Sequence, residues 1–256
     1  MNKFVLKALA PAALTMSLMS ASAFAVPALP DFMVNEASVE GLGGTITADK
    51  INGAYTEEIS FGAGSTFTTT AYGDFGQYLK DDGTNLVVGA QLNSSYGMYT
   101  LVDAAGGFGI AGSFVTFTAG SAGFTLWIDP DQNTTKSIAG GVVSLAGNAD
   151  DYMIGSASTL GSGVGVLVSG VGGFFDLVFT DFSLTDPEGT AYFVDPDPFY
   201  LRVNVDGDFD SFTPTGTQTI NGDVSAVFAV PEPGSIALLG LGLVGMGLSL
   251  RRRKAA

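Results

Sequence analysis

The chain of 256 residues contains no histidine, no cysteine, one tryptophan and only 14% charged residues. Without cysteine there is no thiolate nucleophile and no disulfide, and without either residue there is no imidazole base and no Cys/His zinc site. Basic residues are scarce as well. Ten Lys and Arg stand against 25 Asp and Glu, and six of the ten (Lys3, Lys7, Arg251, Arg252, Arg253 and Lys254) lie at the two ends. Residues 26–230 therefore keep four basic residues (Lys50, Lys80, Lys136 and Arg202) against 24 acidic ones, a formal balance of −20. A body of that charge repels nucleic acid and anionic lipid and attracts cations. No window before the last 27 residues carries a long capped helical period, whereas glycine is abundant at 36 residues.

What is present begins with two terminal segments. Lys3 and Lys7 precede an apolar run interrupted by Pro11, which ends in Ala23-Phe24-Ala25. A positive start, a short apolar stretch and an A-x-A site predict a signal peptide cleaved by signal peptidase after Ala25, the alternative being a buried N-terminal helix. At the other end, Pro231-Glu232-Pro233 is followed by an apolar run from Ile236 to Leu250 and by Arg251, Arg252, Arg253 and Lys254. Fifteen residues at about 1.5 Å each span about 22 Å, short of the roughly 30 Å hydrocarbon core, so the predicted transmembrane helix 236–250 must draw in its flanks. The basic heads can snorkel to the headgroups and hold the tail in the cytoplasm. The two prolines keep the tripeptide out of the helix. Gly240, Gly242 and Gly245 spell G-x-G-x-x-G, but no strand precedes them, so they read as close-approach positions for a helix partner rather than a nucleotide loop.

The tripeptide, the short Gly/Leu-rich run and the basic cluster, in that order, resemble the PEP-CTERM sorting signal of exopolysaccharide-producing Gram-negative bacteria. The resemblance implies recognition by a membrane-embedded exosortase, cleavage near the tripeptide and delivery to the cell surface or extracellular matrix. A permanent single-span anchor is the alternative. The body resembles, in addition, the flocculation-associated family of PEP-CTERM proteins, through Asp31-Phe32-Met33-Val34-Asn35-Glu36, Ala48-Asp49-Lys50-Ile51-Asn52-Gly53, Asp74-Phe75-Gly76-Gln77-Tyr78 and Tyr96-Gly97-Met98-Tyr99. That resemblance implies a role in floc or biofilm formation together with secreted exopolysaccharide.

Between the two ends lie 205 residues, 26–230. Phe124, Leu126 and Ile128 alternate with Thr125 and Trp127, and Phe175, Leu177 and Phe179 alternate with Asp176 and Val178. Phe199, Leu201, Val203 and Val205 alternate with Tyr200, Arg202 and Asn204. Period-two patterning of this kind buries one strand face and wets the other. Further strands are predicted over Thr45–Ile51, Ala54–Phe61, Thr66–Gly73, Leu86–Leu92, Gly97–Val102, Ser113–Thr118, Val164–Val168 and Val224–Ala229, with turn clusters such as Asp81-Asp82-Gly83-Thr84-Asn85 between them. About a dozen short strands predict an all-β fold, a single antiparallel β-sandwich or jelly-roll domain. Residues 137–173 are rich in glycine and read as a long surface loop with one inserted strand.

Two acidic groups have a defined physical use. Asp129, Asp131 and Asn133 alternate across a turn, and Asn204, Asp206, Asp208 and Asp210 alternate around Gly207. Oxygen ligands at i, i+2 and i+4 of a tight turn can converge on Ca²⁺, which makes it the one cofactor candidate, although neither group has the twelfth-position Glu of an EF-hand and both are ordinary turn residues as well. Trp127, Tyr78, Tyr96 and Tyr99, with Tyr72 and Tyr200, are candidates for stacking on sugars, the basis of an alternative reading as a lectin-like carbohydrate-binding module; for Trp127 burial is the competing expectation. A secreted glycosidase is a third reading and would rest on paired carboxylates alone. Accidental pairs are inevitable among 24 carboxylates, so no catalytic residue is assigned and the chain reads as non-enzymatic.

Overall fold

The computed structural model describes residues 29–39, 41 and 43–229. The expected signal peptide, with Ala23 and Ala25, and the tripeptide, apolar run and basic tail over 231–256 lie outside the described residues. Among the described residues no helix is long and apolar enough to cross a membrane.

The strands in chain order are β1 (Phe32–Asn35), β2 (Thr45–Ala48), β3 (Lys50–Gly62), β4 (Thr66–Lys80), β5 (Asn85–Leu86), β6 (Gly97–Ala111), β7 (Phe114–Asp129), β8 (Thr135–Ala139), β9 (Val142–Ala146), β10 (Tyr152–Ala157), β11 (Leu160–Val168), β12 (Gly172–Phe179), β13 (Ser183–Leu184), β14 (Phe193–Asp195), β15 (Arg202–Phe209) and β16 (Thr217–Ala229). One short helix, α1 (Glu188–Tyr192), precedes β14. The all-β antiparallel architecture is the one the alternation predicts, and it takes a barrel-like form. Eight strands follow one another as β3-β4-β6-β7-β11-β12-β15-β16, and β16 returns to pair with β3.

Ring closure depends on a division of labour along β7. Its first part, Phe114–Thr118, pairs with Val164–Val168 of β11, while Phe124–Ile128 pairs with β10. One end of the ring is thereby closed strand to strand, which leaves no long unpaired edge there. Strands β1, β2 and β14 with α1 pack over the other end. The β8–β9 hairpin lies against the outside: Thr70 donates to the Gly141 carbonyl at 3.0 Å, and the Gly141 N–H donates to Glu58.

Residues 137–173, read from sequence as a long surface loop with one inserted strand, instead form much of β8, all of β9, β10 and β11 and the start of β12, and the strand predicted over Val164–Val168 is the second half of β11. For the glycines of β11 and β12 the reason is the barrel interior, where large rings need partners without side chains. A Cβ on Gly173 would come within 2.3 Å of the Phe209 ring, and one on Gly207 within 2.7 Å of the Phe175 ring. The expected strand over Leu86–Leu92 is shorter than predicted. Only Asn85–Leu86 pairs with β4, and after Val87 donates to the Tyr78 carbonyl at 2.9 Å the chain turns away at Gly89, which has φ +89°.

The capped end holds a dense aromatic core. Phe228 is fully buried with Phe182 and Phe199 at 5.0 Å, Phe32 at 5.2 Å and Phe193 at 5.3 Å between ring centroids. Beside it runs a buried polar chain. Tyr78 and Tyr192 share a hydroxyl contact, the Tyr96 and Tyr192 hydroxyls are 2.6 Å apart, and Tyr96 donates to Glu36 Oε1 at 3.0 Å. The same oxygen accepts the Gln91 and Leu92 N–H groups at 2.8 and 3.2 Å. Glu36 Oε1 thus accepts three hydrogen bonds while its Oε2 is buried without a partner, and the three donors join the segments that carry them.

In the middle of the barrel the core is incomplete. Small residues on one wall, among them Ala71, Ala104, Ala119 and Gly163, leave a cavity of about 80 Å³. Glu57 faces this space from β3 and accepts a hydrogen bond from Thr69 on β4. Burial pushes the Glu57 carboxyl up from its ordinary value of 4.5, against the lowering by Thr69 and Tyr55. The folded state therefore holds this proton to higher pH than the unfolded chain, so the stability it contributes falls as pH rises above about 4.5. Glu57→Gln is expected to raise stability at pH 8 and leave it nearly unchanged at pH 4, as measured by denaturant unfolding of the full chain at both values.

Candidate functional site

Sequence spacing grouped Asp129 with Asp131 and Asn133; the fold groups it with Asp150 and Asp151. Asp129 ends β7 and is 3% exposed, and its two carboxylate oxygens accept the Asn133 and Thr134 N–H groups at 3.1 and 3.0 Å. These bonds fold residues 129–134 into a turn whose exposed side carries Asp131 and the Asn133 side chain. Antiparallel pairing of Tyr152 with Ile128 then returns the chain beside this turn, and one oxygen from each of Asp129, Asp150 and Asp151 falls within 4.8 Å of the others. Asp151 accepts the Tyr99 hydroxyl at 2.7 Å and the Thr134 hydroxyl at 2.9 Å. Three carboxylates this close repel one another, and an oxygen-seeking cation is the ligand that relieves the repulsion.

The second expected calcium group does not converge. Asn204, Asp206 and Asp208 lie on β15 rather than in a turn, and Asp210 follows the strand. Alternate residues of a strand are spaced by about 6.6 Å along one face, too far to share a shell of ligands at about 2.4 Å. Asp206 instead lies across from Asp176 on one side and Ser225 on the other. Burial raises its carboxyl pKa, Lys50 lowers it and the Asp176 charge raises it further. Burial likewise raises Asp176, with Arg202 opposing. With its amide turned to suit its neighbours, Asn204 donates to Asp176 at 2.6 Å and to the Leu177 carbonyl at 3.2 Å. These residues form a polar ladder on the outside of the barrel.

The aromatic candidates separate in the same way. Tyr78 and Tyr96 belong to the buried hydroxyl chain and Tyr99 is 1% exposed, so none of the three offers a ring face to a sugar. Tyr99 is covered because Trp127 stacks parallel to it at 6.1 Å and Lys136 lies 4.6 Å over its ring. Lys136 is itself held by Asp74 at 2.9 Å. Trp127 is half-buried on the outer face, its ring nitrogen donating to Thr125 at 3.0 Å. Tyr200 is also half-buried and donates to the Asp31 carbonyl.

Sequence reading did not single out Glu36, Glu57, Tyr192, Asp150 or Asp151. The adjacent acidic pair Asp150-Asp151 just before a strand was the available signal for the last two, but its link to Asp129 exists only through the β7–β10 register. The four segments read as a flocculation-type resemblance, which no comparison shows, supply Phe32, Glu36, Tyr78 and Tyr96 to the capped end, while Asp49 accepts the Gly83 N–H at 3.0 Å.

Closed antiparallel strands and a strongly acidic composition define an acidic, all-β barrel-like protein. A narrower statement comes from its last stretch. Residues 229–254 match the PEP-CTERM protein-sorting motif, so the chain carries that sorting signal at its C-terminal end. The signal indicates export and sorting to the cell surface and implies processing by an exosortase. No curated protein and no solved structure matches the chain.

Proposed function

We propose that the protein is a non-enzymatic component of the cell surface or extracellular matrix that promotes floc or biofilm formation together with exopolysaccharide. The sorting motif carries the reading, because it sends an acidic, strand-locked body out of the cell. In this route signal peptidase trims the front, the C-terminal run holds the precursor in the inner membrane, and exosortase cuts near Pro231-Glu232-Pro233. Deleting the gene is expected to leave growth unchanged while the culture disperses and settles slowly. Normal flocs in the deletion strain would overturn the reading.

Calcium assistance rests on the Asp129, Asp150 and Asp151 corner. Millimolar Ca²⁺ is expected to raise the thermal midpoint by a few degrees through preferential binding to the folded state. Asp150→Asn is expected to remove most of that rise without lowering the calcium-free midpoint, since it removes repulsion from an exposed position. Differential scanning calorimetry of both chains with calcium and with chelator decides it. A carbohydrate-binding form of the function keeps only Trp127 of the four stacking candidates, and co-sedimentation of the protein with its producer's polysaccharide tests it.

A further inference from the structure

The cavity inside the barrel carries more than missing volume. Its size of about 80 Å³ is several times the roughly 10–15 Å³ that one water occupies and about half of the ~150 Å³ space that admits benzene. Its wall is almost wholly apolar, built from residues such as Ala104, Phe117, Leu177 and Val205. An unpartnered polar group faces this dry space. Tyr55 is 6% exposed, its hydroxyl is enclosed by protein, and that hydroxyl has no hydrogen-bond partner. Its nearest polar neighbour is the Glu57 carboxyl, close enough for Tyr55 to lower that group's pKa, but the hydroxyl meets no acceptor in aligned hydrogen-bonding geometry and Glu57 is engaged by Thr69. A buried donor left unmade costs about 1–3 kcal/mol, a penalty that a ligand with an acceptor oxygen removes.

We infer that the barrel interior is a binding site for a small, uncharged, mainly apolar molecule with one hydrogen-bond-accepting oxygen, such as a short ketone, which takes the Tyr55 hydroxyl as donor and lies against the small-residue wall. The Glu57 carboxyl sets the class further. A carboxyl next to the same oxygen offers an anionic ligand no compensation, the apolar wall leaves such a charge unsolvated, and no cationic side chain lines the space to offset it. A ligand of about four or five non-hydrogen atoms suits the volume. With so few atoms, binding is expected in the millimolar range.

The test uses the full chain in lipid nanodiscs and two probes of the same shape, butan-2-one and 2-methylbut-1-ene, followed by ligand-observed NMR titration. Butan-2-one is expected to bind saturably. Tyr55→Phe should weaken the ketone about tenfold, the equivalent of one hydrogen bond, while leaving the alkene unchanged. Ala104→Leu should abolish saturable binding of both by filling the space, and Ala71→Val serves the same purpose should circular dichroism show the first variant misfolded. Partition into the nanodisc lipid is distinguished by its indifference to these substitutions. Absence of saturable ketone binding, binding that survives both filling variants, or equal ketone affinity in the wild type and Tyr55→Phe would overturn the proposal.

Discussion

Replacing Phe228 by alanine should lower the stability of the full chain by about 4 kcal/mol, within the range of roughly 3–5 kcal/mol seen for large-to-small changes at packed aromatic sites. Phe228 is fully buried near the end of β16, and four rings converge on it with centroids between 5.0 and 5.3 Å. Those rings come from Phe32 on β1, Phe193 on β14, and Phe182 and Phe199 on the connecting segments, so one residue fastens the cap to the barrel. Backbone pairing to β15 holds Phe228 opposite Val203, which prevents the strand from shifting to fill the void. Edge-to-face contacts add about 0.5–1.5 kcal/mol each beyond area burial, though their sum is not additive. For a chain of this size the thermal midpoint should fall by roughly 10 °C. Phe174→Ala is the control: its ring is 52% exposed on the outer face of β12, and the midpoint should move by about 1–2 °C. Equal effects from the two substitutions would show that the cap is not fastened through Phe228.

Strand identity was legible in Phe124–Ile128 and Phe175–Phe179, because one face of each strand is packed and the other is wet, whereas the alternating run Phe199–Val205 is strand only from Arg202 and leaves Leu201 exposed. Strand length was not legible. The predicted Ser113–Thr118 and Phe124–Ile128 are parts of the single strand β7, whose middle is Ala119, Gly120, Ser121 and Ala122, residues with too little hydrophobic contrast to reveal a period. Closure of the ring was illegible for a related reason: β11 presents Gly163 and Gly165 to the interior, and glycine carries no signature of the face it occupies. The acidic corner was half legible. Asp129 was found through its turn, whereas Asp150 and Asp151 join it by a pairing between residues more than twenty positions apart. The strand group Asn204, Asp206 and Asp208 was misread because alternating acids look the same in a turn and on a wet strand face.

Neutralising the basic cluster, with Arg251, Arg252, Arg253 and Lys254 all changed to glutamine, should reduce the mature body at the cell surface at least tenfold and cause the unprocessed precursor to accumulate. The apolar run of fifteen residues from Ile236 to Leu250 is shorter than a bilayer core, so its retention depends on flanking residues. On the proposed route, four cationic heads at the cytoplasmic side would supply that hold by reaching the headgroups, and glutamine would not. The four substituted positions lie outside the barrel strands. The barrel's last strand ends at Ala229, the matched sorting motif begins at that residue, and all eight ring strands lie within Lys50–Ala229. Losing residues beyond the tripeptide removes none of the described strands, so the released body and the precursor should unfold at the same temperature. Fractionation with immunoblotting against the body reads the first outcome and calorimetry the second. Undiminished surface delivery of the glutamine variant would show that sorting rests on Pro231-Glu232-Pro233 and the apolar run alone, and a lower midpoint for the trimmed body would show that the tail supports the barrel it leaves.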